Sequence, residues 1–141
     1  MPHRLVMRAW RALTDPPHQK PVYALVYVIT IMTGLATLFM PPRSIEGVLG
    51  PLLMNVTGAA WLLGGLVCLV TLFTPWWWLE RFGIGLAALG IASYGSVVLT
   101  LQVVESGSRL TQLGVIGMAG CLFLIRYLSI REWSYAPPSK N

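Results

Sequence analysis

The chain has 141 residues, of which 55% are hydrophobic and only 11% charged, with a formal net charge of +5. A soluble domain of this size buries too small a share of its surface to hide so much apolar material. The composition therefore excludes an ordinary soluble fold, and the basic balance reads as attraction to an anionic leaflet, with no nucleic-acid partner.

The first 13 residues place Arg4, Arg8 and Arg11 at i, i+4 and i+7, with Val6, Trp10 and Leu13 on the opposite face. Thr14-Asp15-Pro16-Pro17 then breaks the helical pattern. This predicts a short amphipathic helix lying on the inner leaflet, with Arg4, Arg8, Arg11 and Trp10 at the membrane interface. Residues 1–20 form a basic cytoplasmic segment in this reading.

Charges then punctuate four uncharged runs: 21–42, 47–79, 82–104 and 110–125. A spanning helix needs about 20 mostly apolar residues. Pro51 suits a first helical turn and Pro75 ends the second run. The predicted helices are 21–40, 51–74, 82–104 and 110–130. The expected fold class is all-α: an integral membrane bundle of four transmembrane helices over 21–130, with a tail at 131–141. The first run is longer than a signal-peptide core and carries no A-x-A cleavage pattern, so a retained helix is expected.

The first helix contributes Thr30, Thr33 and Thr37 as its neutral polar groups. In the second, Ala60, Gly64 and Cys68 recur at spacing four, the small-residue pattern that lets helix backbones approach. Asn55-Val56-Thr57 matches a glycosylation sequon inside that helix and reads as chance. Trp76, Trp77 and Trp78 fall in the following turn and read as an interfacial belt. In the third helix Ala88, Ala92 and Ser96 form a small stripe, and Gly83 with Ala87 a second pair. Its Ser93, Ser96, Thr100 and Gln102 are the nearest thing to a wetted face. The fourth helix carries Gly114, Gly117 and Cys121. Arg126 sits near its end, where the predicted role is snorkelling: the stem in lipid and the guanidinium at the headgroups.

Eight of the ten basic residues fall on one side of this topology: Arg4, Arg8, Arg11, Lys20, Arg81, Arg126, Arg131 and Lys140. Arg43 and Arg109 fall on the other. The bias places both termini and the middle turn in the cytoplasm, across the cytoplasmic (inner) membrane.

Catalytic motifs are missing: there is no H-E-x-x-H, G-x-S-x-G or P-loop, and His3 and His18 stand apart from any carboxylate cluster. Cys68 and Cys121 have no metal-ligand spacing and read as packing residues. The expectation is no enzyme, no catalytic residue, no cofactor and no metal. Membrane lipid is the expected partner, together with further copies of the chain in a homo-oligomer. The middle of each span lacks acid, lysine and histidine, which argues against a proton-coupled transporter.

Small multidrug exporters carry a glutamate in their first helix, which this chain lacks. Glu80-Arg81 begins like the glutamate–arginine motif of membrane-associated eicosanoid and glutathione enzymes, but Phe82-Gly83-Ile84-Gly85 supplies no asparagine. The basic start, short loops, tryptophan-rich turn and ending Arg126-Tyr127 with Ile130-Arg131-Glu132-Trp133-Ser134-Tyr135 give another likeness. In layout the chain resembles the small four-span membrane proteins of phages that infect actinobacteria, some of which are holin-like. That resemblance implies self-association and permeabilisation of the cytoplasmic membrane, without a cofactor. The alternative is a non-enzymatic membrane interaction or scaffold protein binding a host or viral partner.

Overall fold

The structure is a computed structural model that describes residues 19–131. It contains four helices in chain order: α1 Gln19–Phe39, α2 Arg43–Leu72, α3 Trp77–Val104 and α4 Leu110–Ile130. No strand occurs among the described residues. All four helices are long and apolar enough to cross a membrane, so the described residues form an all-helical, four-span bundle. The predicted N-terminal interfacial helix, with Arg4, Arg8, Arg11 and Trp10, lies outside the described residues, as does nearly all of the tail.

Short links make sequential neighbours antiparallel, and each helix packs on the next: α1 on α2, α2 on α3, α3 on α4. Close approach sets the first two contacts. A Cβ on Gly34 would lie 2.5 Å from the Leu62 backbone nitrogen, and one on Gly64 would lie 2.8 Å from both the Gly83 carbonyl and the Ala87 nitrogen. Only a missing side chain lets these backbones meet. Most hydroxyls along the spans are spent on their own helix: Thr30 donates to the Val26 carbonyl, Ser96 to Ala92 and Thr100 to Ser96. Such internal bonds let hydroxyls sit in hydrocarbon without a wetted path.

Two helices begin four or five residues before their uncharged runs. α2 starts at Arg43, eight residues before Pro51, and breaks at Gly50, whose φ of 77° and ψ of 159° favour glycine. Pro51 opens the regular segment that follows, where its missing N–H costs nothing. α3 starts at Trp77, ahead of the predicted residue 82, and takes Glu80 and Arg81 into the helix. An acid in a first turn is favoured by the helix dipole, so a charge that marked the end of an apolar run does not mark the end of a helix.

Buried side chains gather in two clusters. One joins Tyr23, Tyr27, Cys68, Leu72, Ile84, Ala87, Phe123 and Ile130. The other joins Ile45, Met54, Val97, Val98 and Leu101 at the opposite end of α2 and α3.

Candidate functional site

The first cluster encloses an ion pair. Glu80, in the first turn of α3, and Arg126, in the last two turns of α4, meet at the same end of the bundle. Arg126 donates from Nε to Glu80 Oε1 at 2.7 Å and from Nη2 to Oε2 at 2.8 Å. Tyr27 of α1 donates its hydroxyl to the same Oε1 at 2.7 Å. The Arg126 guanidinium lies 5.2 Å from the centre of the Tyr23 ring, within cation–π range. Cys68 of α2 points its thiol at the Glu80 carbonyl, 3.7 Å away. One glutamate of α3 thus collects contacts from each of the other three helices.

Its burial is complete. The Glu80 side chain is 0% exposed and that of Arg126 only 6%. Two desolvated charges hold together only with excellent geometry and satisfied neighbours. Both conditions are met: the fork is bidentate, and no buried side-chain nitrogen or oxygen among the described residues lacks a hydrogen-bond partner. Glu80 also sits in the first turn of its helix, where the dipole favours a negative charge. Just outside, Arg81 donates to the Arg131 carbonyl at 2.7 Å and ties α3 to α4 again.

These contacts also join α1 to α4, which otherwise stand apart. The Tyr27 and Phe123 rings lie 6.0 Å apart. Beyond them α1 and α4 diverge toward the other end of the bundle and leave an open cleft of about 1300 Å³. Val28, Met32, Val115 and Ile116 line its walls, and Tyr94, Gln112 and Arg109 stand near its far mouth. Gln112 donates its amide to the Tyr94 hydroxyl at 3.1 Å, and Tyr94 rests on Trp61 with ring centres 5.3 Å apart. Arg109 pairs with Glu105, and its backbone N–H donates to the Gln102 side chain.

The predicted site residues separate into three groups. Ala60, Gly64 and Cys68 are buried within the bundle, Gly64 and Cys68 against Gly83 of α3. On α3 the packed small face is Gly83, Ala87 and Gly90, whereas Ala88, Ala92 and Ser96 are exposed. The stripe at 88, 92 and 96 therefore does not pack within the chain; its neighbour one position round the helix does. On α4 nothing lies within 4 Å of where a Cβ on Gly114 or Gly117 would stand, and Cys121 is exposed.

Arg126 corrects the sequence reading. It does not snorkel to the headgroups, because Glu80 neutralises it inside the bundle. Trp76 and Trp78 are exposed, while Trp77 packs partly against the core cluster. Sequence reasoning missed Glu80, Tyr23 and Tyr27. The available signals were two opposite charges at matching depth and a tyrosine pair at spacing four. Among the described residues there is no group of His, Cys, Asp and Glu able to hold a metal. No protein family, curated protein or solved structure matches the chain.

Proposed function

We propose that the protein is a non-enzymatic, holin-like component of the cytoplasmic membrane that self-associates through α4, with both termini inside. The observation that carries this reading is the outer face of α4. Gly114, Gly117 and Cys121 lie on the side of the helix opposite Ile116 and Phe123, turned away from the rest of the bundle. A face of small residues gains little from lipid but lets a second helix approach closely. The eight-to-two basic bias supports the orientation.

Crosslinking tests it. In a background lacking Cys68 and Cys121, a Gly117→Cys chain in native membranes should give covalent dimers with a short bifunctional thiol reagent. A Leu99→Cys chain, exposed on α3, should give far fewer. Equal yields at low and uniform levels would mean that α4 has no special role in association.

A further inference from the structure

We propose that the cleft between α1 and α4 is a phospholipid site, holding one lipid with its acyl chains between the helices and its phosphate at Arg109. The cleft is lined on one side by Val28, Ile29 and Met32 and on the other by Val115, all exposed and apolar. Thr30 and Thr33 also line the space of about 1300 Å³, but their hydroxyls donate to the Val26 and Ile29 carbonyls of α1, so away from the mouth the walls offer water few of the several polar partners it needs. Left empty, the space would forfeit dispersion contacts along both helices. Hydrocarbon fills it at no such cost.

Depth selects a lipid over a helix. The lining runs from Val28 on α1 to Met40 just past its end, and from Thr111 to Phe123 on α4. Each stretch is about 18 Å long at the rise of an α-helix. One leaflet's hydrocarbon is about 15 Å deep, half of a bilayer core of about 30 Å. The cleft is therefore about one leaflet deep and closes at Phe123, whose ring lies 6.0 Å from that of Tyr27. A spanning helix of a second copy would have to break that closure to lie in it.

Polarity fixes the orientation. The floor is aromatic and apolar, while Ser106, Ser108 and Arg109 stand at the mouth with the Tyr94–Gln112 pair. Arg109 engages Glu105 through one terminal nitrogen, and a guanidinium carries five N–H donors. Its remaining donors suit phosphate oxygens, for which arginine's planar fork is well matched.

Native mass spectrometry of the purified chain, released from mild detergent after reconstitution with phosphatidylglycerol and phosphatidylethanolamine, tests the site. The wild type should keep one phospholipid per chain after washing. Ala119→Phe, which fills the cleft wall, and Arg109→Gln, at its mouth, should each lower that occupancy at least fivefold with helix content unchanged by circular dichroism. Leu99→Ala should leave it unchanged. Absence of a retained lipid in the wild type would overturn the proposal, as would full occupancy in Ala119→Phe. Loss in Ala119→Phe but not in Arg109→Gln would overturn the placement of the phosphate. Efficient chain-to-chain crosslinking from Thr33→Cys would show a second copy in the cleft instead.

Discussion

Glu80 owes its burial to Arg126, and the reverse holds equally. Removing one partner of such a pair strands the other charge, at a cost of about 3–5 kcal/mol. Arg126→Leu alone should therefore lower bundle stability by about that amount in detergent unfolding. Glu80→Leu with Arg126→Leu together should recover most of the loss, because two apolar side chains leave no charge behind. A double change as damaging as the single one would mean that the pair is needed for more than mutual neutralisation. Tyr27→Phe removes one donor from a carboxylate that keeps two others, so its cost should be smaller, about 1–2 kcal/mol. Each charge was visible in the sequence as the end of an apolar run. Their pairing was not, because the two residues are 46 positions apart and periodicity carries no information on which helix faces which. The snorkelling reading of Arg126 rested on a helix-end position that is correct and on a solvent contact that is not.

At the scale of the helices, small residues divide into those that bring α1, α2 and α3 together and those that face outward. Gly64→Leu should disrupt the fold, since its side chain would run into the backbone of α3 at Gly83 and Ala87. Gly117→Leu meets nothing within the chain and should leave thermal stability in detergent nearly unchanged. The same change should sharply reduce α4-dependent crosslinking, which separates the inner from the outer role. Gly50→Ala places a side chain at φ +77° and should destabilise the start of α2 without blocking insertion of the spans. Four helices were legible from charge punctuation and run length, and the fourth range, 110–130, coincides with α4. The starts of α2 and α3 were not, because a charge ends a hydrophobic run whether or not the helix continues through it. Small-residue spacing identified stripes but could not choose between adjacent faces of α3, where 83 and 87 pack and 88 and 92 do not.

For the whole molecule, closure at one end and divergence at the other follow from a single polar contact set that reaches all four helices. The end carrying the ion pair also holds Lys20, Arg81 and Arg131, and the proposed orientation puts it in the cytoplasm. In a cysteine-free background, Ser108→Cys should react with an impermeant thiol reagent on intact cells, and Pro75→Cys only after the membrane is opened. Composition alone made the membrane assignment legible, whereas the proposed holin-like role rests on the outward face of α4. Its decisive test is the membrane potential of bacteria in which the protein accumulates, followed with a potential-sensitive dye beside membrane levels of the chain. The potential should collapse above a threshold level of wild-type protein, and Gly117→Leu should delay or abolish that collapse at equal membrane levels. A normal potential and normal growth at high, confirmed membrane levels of the wild type would contradict the holin-like role.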